Sequence, residues 1–388
     1  ALGIDIKILS NQWHTYLKKK YWPDIEKRDN IQDISKQLTN HLELYNNYNV
    51  APSISPDKSK IAIYSNKEGL MSIYIISSSD GKFLDKIVSG QITSEYEELH
   101  VLKPGISWSP SGNQLVFAVK SGDSDALVIH DINNPKKRFK KKFEIEGIYR
   151  PVWNPQNNKI AFIGYQNFSS DVFVYNLDND ELSQLTNDTY SDIQISWSPD
   201  GEELLLVSDR GNNIAKKSHT DIISIIGSDF DNNDIYTLDL NGQLERLTNT
   251  SYNESYPTYD LDGNAIAYIS DESGINNIYI TTDRFESSKN LTNVITGITQ
   301  LEWYDNNQII FTGFYNSGYD IFRIANIKEK LENSESIKDA KWISKTKYNY
   351  LKNNDSNYYS KNDLSSYRFI QNDKGNNFSI DTDTTNSE

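Results

Sequence analysis

The sequence predicts an all-β fold: a six-bladed β-propeller of four-stranded antiparallel blades, with the ring closed by an N-terminal strand. Three observations lead there. A strand-turn-strand unit, clearest as SWSPDGEELLLVSDR at 196–210, recurs from Ser53, Ser107, Pro151, Thr258 and Leu301. The copies are spaced as propeller blades are, and an orphan strand signal stands ahead of the first copy.

Residues 1–33 fall outside the repeat. Trp13, Tyr16, Leu17 and Tyr21 recur at helical spacing, with Ser10 or Asn11 as cap and Pro23 as stop. The expectation is a short helix leaning on the main domain, or the tail of an upstream domain. Its basic run at 18–20 belongs on the solvated face.

The propeller is expected over residues 34–345. The anchors of the first strand are Ile54, Trp108, Trp153, Trp197, Tyr259 and Trp303; the matching third-strand residues are Tyr74, Val128, Phe173, Tyr236, Tyr279 and Phe322. Their separations are 20, 20, 20, 39, 20 and 19, so one unit carries an insertion, at 211–233. Anchors follow one another at 54, 45, 44, 62 and 44 residues, the length of a four-stranded blade. The second strands lack the 3.6-residue period that an α-solenoid needs.

A Leu-Thr pair closes the clear units at Leu185-Thr186, Leu247-Thr248 and Leu291-Thr292. The sixth unit has none near residue 334, whereas Leu38-Thr39 precedes the first unit without a blade of its own. The economical solution is that this N-terminal strand completes blade six, which leaves only short sheet edges exposed. DAKWISK at 339–345 is the rival for that place. Residues 346–388 are rich in Asn, Ser, Asp and Tyr, and read as a disordered tail or the start of a further domain.

Composition narrows the function. A formal charge of −15 disfavours nucleic acid and anionic membrane surfaces as partners. The absence of cysteine excludes thiolate zinc sites, disulfides and thiol nucleophiles. No apolar run reaches the roughly 18 residues of a membrane-spanning helix. A start at Ala1, with neither Met nor a signal peptide, reads as processing or excision. There is no G-x-S-x-G elbow and no H-E-x-x-H, and the five histidines are scattered without metal-ligand spacing. The chain is therefore read as non-catalytic, with no cofactor and no metal.

The Ser-Trp-Ser-Pro-Asp-Gly run with Val-Ser-Asp-Arg-Gly (196–211), the Asp234-Ile-Tyr-Thr-Leu-Asp-Leu-Asn-Gly242 stretch and the closing Leu247-Thr248 resemble the repeat of the TolB-type propellers. The resemblance covers about residues 34–330. It implies a six-bladed binding scaffold of the bacterial periplasm or cell envelope, with a protein or peptide partner of lipoprotein kind and no chemistry of its own; the chain is expected to be a monomer. The start of the chain (Tyr21-Trp22-Pro23) and the long exit from blade one also resemble larger envelope proteins in which such a propeller lies between a metallopeptidase-like domain and an outer-membrane barrel. A substrate-gating propeller of a larger peptidase, or an enzyme sited in the central channel, are the alternatives.

Most repeated residues have structural duties. Pro56, Pro110, Pro155 and Pro199 stop the inner strand, Asp200-Gly201 makes the turn, and the tryptophans wedge between blades. Binding is then sought where the repeat is broken. The insertion at 211–233 and the long exit from blade one, at 89–100, both fall on the face that holds the between-blade loops. The partner-binding residues expected there are Glu95, Tyr96, Glu97, Glu98 and His100, with Asp209, Arg210, His219, Asp229 and Asp231 of the blade-four loop. Asp229, Asp231 and Asp234 could suggest calcium, but they lack the EF-hand glycine and the distal glutamate; a solvated hairpin tip is preferred.

Overall fold

The repeated unit becomes a blade because its second and third strands are apolar on both faces. Leu204, Leu205, Leu206 and Val207 are all fully buried, as are Ile235 and Tyr236 beside them. A strand without a polar face must be covered on both sides, and in a propeller the neighbouring blades do this. One core cluster accordingly joins Ala161, Ile163, Val172 and Val174 of one blade to Trp197, Leu204, Leu206 and Tyr236 of the next.

The computed structural model describes residues 5–90, 96–134, 138–214 and 232–340. The chain divides into two units, Ala1–Lys338 and Asp339–Glu388, and only residues 339 and 340 of the second are described. The first unit holds six four-stranded antiparallel sheets. Blade one is Asn49–Ile54, Lys60–Ser65, Ser72–Ser77 and Phe83–Ser89; blade two is Ile106–Trp108, Gln114–Ser121, Ser124–Asp131 and Arg138–Lys141. Blade three is Gly147–Trp153, Lys159–Gln166, Ser169–Asn176 and Glu181–Gln184; blade four is Asp192–Trp197, Glu203–Ser208, Asp234–Asp239 and Leu244–Arg246. Blade five is Glu254–Tyr259, Ile266–Ser270, Asn277–Thr281 and Lys289–Asn290. Blade six has Ile298–Asp305, Gln308–Tyr315 and Gly318–Ala325, and its outer strand is the N-terminal Lys36–Gln37. Each innermost strand touches that of the next blade, and the innermost strand of blade six touches that of blade one. The ring is closed as the orphan Leu38-Thr39 predicts. Most of the rival segment, 341–345, lies outside the described residues.

Closure rests on Asp320 at the start of the third strand of blade six. Its carboxylate accepts hydrogen bonds from Gln37 Nε2 (3.0 Å), Thr39 Oγ1 (2.9 Å), the His41 backbone N–H (3.0 Å) and Asn49 Nδ2 (2.9 Å). His41 Nδ1 lies 2.6 Å away. The Leu-Thr threonines have one common task. Thr39, Thr186, Thr248 and Thr292 each accept, through Oγ1, the N–H of a third-strand residue: Ile321, Val172, Ile235 and Ile278 at 2.8–2.9 Å.

The indole N–H of Trp108, Trp197 and Trp303 donates to the carbonyl one residue before the preceding blade's anchor: Ser53 (2.9 Å), Val152 (3.1 Å) and Thr258 (3.1 Å). That of Trp153 is buried without a partner. The inner strands stop at Ile54, Trp108, Trp153 and Trp197, just before the four prolines. Gly201 turns with φ +74°, and a Cβ there would lie 2.4 Å from Asn154 Oδ1.

The N-terminal segment departs from the expectation. The helix runs Ile6–Ile25, capped by Asp5, whose carboxylate accepts the Lys7 N–H at 2.8 Å; Pro23 lies inside its last turn. It buries none of its residues, so it does not lean on the propeller through a packed face. The chain joins the ring earlier than residue 34: Asp29 donates its N–H to the Asn293 carbonyl at 2.8 Å, and Ile31 is buried beside Phe311 and Phe322. Ile31 fills the space left by Gly313, where a Cβ would lie 2.1 Å from its Cδ1.

Candidate functional site: the loop face and the channel mouth

Of the expected binding residues, Tyr96, Glu97, Glu98, His100, Asp209 and Arg210 are described. The described end of the exit from blade one, 96–100, is fixed to the ring. Tyr96 and Leu99 are buried in the cluster between blades one and two, and Tyr96 packs against Phe117 at 6.5 Å between ring centroids. Between them, Glu97 N–H donates to the Lys120 carbonyl (2.9 Å) and Lys120 N–H to that of Glu98 (2.8 Å). The Glu97 and Glu98 side chains stay exposed. Tyr96 is thus an anchor that presents the two glutamates. His100, with φ +48°, places Nε2 3.0 Å from Asp125 Oδ2 and its ring edge-on to Tyr149. Glu95 lies outside the described residues.

On the blade-four side, Asp209 and Arg210 take structural places. Asp209 accepts the Ser191 N–H at 2.7 Å, as Asn66 accepts that of Tyr48 (3.0 Å) and Asp271 that of Asn253 (2.9 Å). One blade position does the same work three times, so it marks no special site. Arg210 is fully buried: it donates to Asp188 Oδ2 (2.8 Å), Asp192 Oδ1 (2.5 Å) and Ser208 Oγ (3.1 Å), between the Tyr190 and Tyr236 rings. A guanidinium so enclosed cannot contact a partner. It ties the blade three-to-four connection to the root of the insertion. Burial pushes the Asp192 carboxyl up, against the pull of Arg210, and burial with the nearby Asp192 charge pushes Asp171 up to about 7. His219, Asp229 and Asp231 lie outside the described residues. Asp234, the described member of the calcium trio, is buried and ion-paired with Arg246 at 2.6 Å.

Sequence reasoning kept the central channel only as an alternative site and assigned no residue to it. A cavity of about 490 Å³ is lined by the innermost strands of all six blades. Three residues before each anchor, these strands place Ala51, Gly105, Arg150, Gln194, Tyr256 and Gln300 at the mouth on the loop face. Blades one, three and five put a strained residue there, since Ala51, Arg150 and Tyr256 have φ of 54°, 51° and 50° directly before a proline. The alternate blades hold them in place. Gln300 Oε1 accepts the Ala51 N–H at 2.6 Å, and Gln194 Oε1 that of Tyr256 at 2.5 Å. Gly105 takes the third place because a Cβ would lie 2.4 Å from Arg150 Cα. Two residues further along the strand, Glu302 accepts the Ile54 N–H at 2.9 Å. Water still reaches its side chain, but protein atoms enclose the carboxyl and this burial pushes its pKa up to about 8. The alternation of X-Pro with Gln-Ile and Gln-Leu was the signal that could have pointed to the mouth.

Fold and site together define a closed β-propeller whose channel opens among the loops of one face, with a TolB-like repeat in its blades. The profile of the TolB beta propeller domain matches residues 92–215. The Tol-Pal system protein TolB of Ruthia magnifica subsp. Calyptogena magnifica is 32% identical over 98 residues, covering 25% of this chain and 21% of that protein. That of Thioalkalivibrio sulfidiphilus is 26% identical over 101 residues, again 21% of its length. The chain thus matches about a fifth of the length of these curated relatives. The structure of putative TolB from Agrobacterium tumefaciens aligns with a TM-score of 0.50 at 15% identity, covering 72% of this chain and 90% of that one. The chain is a TolB-like six-bladed propeller.

Proposed function

We propose that the chain is a non-catalytic protein-binding scaffold of the bacterial cell envelope, acting through the loop face of its propeller. The observation that carries this reading is the exit from blade one, which departs from the repeat yet is built into the ring by Tyr96 and Leu99 so that Glu97 and Glu98 face outward. A loop that had merely drifted would have no reason to be anchored. Likeness to proteins named for the Tol-Pal system supports an envelope partner. The test is an affinity capture from an envelope extract, with the intact chain and with a chain whose loop at 89–100 is shortened to the spacing of the other blades. A partner held by the intact chain and lost by the shortened one is the expected result. Equal capture by both would remove the loop face from the function.

A further inference from the structure

The propeller leaves the N-terminal helix, Ile6–Ile25, uncovered: none of its residues is buried. The chain is bonded into the ring after it, where Asp29 donates to Asn293 and Ile31 enters the core. Ile6, Leu9, Trp13, Tyr16, Leu17 and Tyr21 follow one another at three- and four-residue steps, which lays them along one stripe of the helix. Trp13 and Tyr16 are 57% and 52% exposed, with their rings stacked at 5.8 Å between centroids. Ile8 and Trp22, near the two ends, fall off the stripe.

The helix also reverses the charge of the chain. Over Ile6–Ile25 four lysines stand against one acid, Asp24, whereas the whole chain carries −15. Lys7 and Lys18 lie on one side of the stripe and Lys19 on the other. Lys20 falls within the stripe, with Nζ 5.8 Å from the Tyr16 ring centroid and 5.1 Å from that of Tyr21. Its stem thus runs over aromatic surface while the side chain stays exposed, which is how a lysine keeps its charge in water beside apolar groups.

We infer that this helix is an interfacial anchor that lies flat on an anionic phospholipid surface, with Leu9, Trp13, Tyr16 and Leu17 in the headgroup boundary and the lysines against lipid phosphates. Indole and phenol rings join an apolar body to a polar tip, which suits that boundary. Lysines flanking such a stripe add attraction to anionic lipid. The same charge argues against a second copy, because pairing two of these helices in either direction brings lysines together. The propeller to which the helix is joined covers none of it, so the ring of a second copy offers no complement that its own ring lacks. The charge of −15 disfavours a lipid surface for the ring, but it is screened beyond about 8 Å at physiological salt, and a 20-residue helix extends about 30 Å. The inference stands apart from the scaffold reading: it concerns where the scaffold is held, not what it binds.

The test is flotation of the full chain with vesicles of phosphatidylcholine that contain about 30% phosphatidylglycerol. Half of the protein should float below about 1 mM lipid, and vesicles of phosphatidylcholine alone should bind it about tenfold more weakly. W13Q with L17Q, and separately K18Q with K19Q, should each weaken binding about tenfold. All four residues lie outside the core and glutamine is a good helix former, so both variants leave the ring alone. Q12S with T15S, on the polar side, should bind as the parent does. No flotation at about 5 mM lipid, equal flotation with and without phosphatidylglycerol, or parental binding by W13Q with L17Q would overturn the anchor. A dimer in sedimentation velocity that W13Q with L17Q abolishes, with no vesicle binding, would give the stripe to a second copy instead. If flotation fails while loop-dependent capture from the extract persists, the anchor falls and the scaffold reading stands.

Discussion

Replacing Arg210 with methionine tests whether the blade-four root is held by charge. The guanidinium is fully buried and makes 2.8 and 2.5 Å bonds to Asp188 and Asp192. Methionine fills much of the volume but leaves two carboxylates without their counter-ion. Breaking a buried pair from one side costs about 3–5 kcal/mol. For a ring of this size each kcal/mol moves the melting temperature by about 2–3 °C, so R210M should melt about 6–15 °C below the parent at pH 7.5. The deficit should depend on pH. Burial already raises the Asp192 pKa against the pull of Arg210, and without Arg210 it rises further. A carboxyl whose folded pKa lies above its unfolded value contributes stability below the unfolded pKa and loses it as pH rises. The gap between R210M and parent should therefore narrow toward pH 4.5, as the orphaned Asp192 carboxyl, already pushed up by burial, takes up its proton. Thermal unfolding followed by circular dichroism at both pH values reads this directly. A loss under about 1 kcal/mol at pH 7.5, or the same gap at pH 4.5, would refute the argument.

Two further predictions concern the ring itself. D320A removes the acceptor shared by Gln37, Thr39, His41 and Asn49; it should cost about 3 kcal/mol or more and expose the closing strand to proteolysis between Lys36 and Tyr48. An unchanged cleavage pattern would mean that the strand is held by its ladder alone. Urea unfolding should separate the tryptophans: W197F and W303F lose an indole bond to the preceding blade and should each cost about 1 kcal/mol more than W153F, whose N–H has no partner. Equal losses at all three would show that the bonds add nothing to ring area.

The sequence alone determined the architecture, because a propeller repeats its physics. Each blade buries the same strands against the same neighbours, so anchor spacing, Pro stops, Asp-Gly turn and Leu-Thr strand ends recur and can be counted. The orphan Leu38-Thr39 could be assigned to blade six for the same reason: a missing term in a repeat has one place to come from. What the tertiary structure decided is which polar residues are free. Asp209 and Arg210 stand beside an insertion and read as surface binders, yet folding brings Asp188 and Asp192 around the guanidinium and turns it inward. Arg150 shows the reverse. In the sequence it is an unremarked residue before a proline, and only the closed ring reveals that it shares the mouth with Gly105, Gln194 and Gln300. Charge pairing across blades depends on distances between residues that the chain separates by whole repeats, and local patterning carries no record of them.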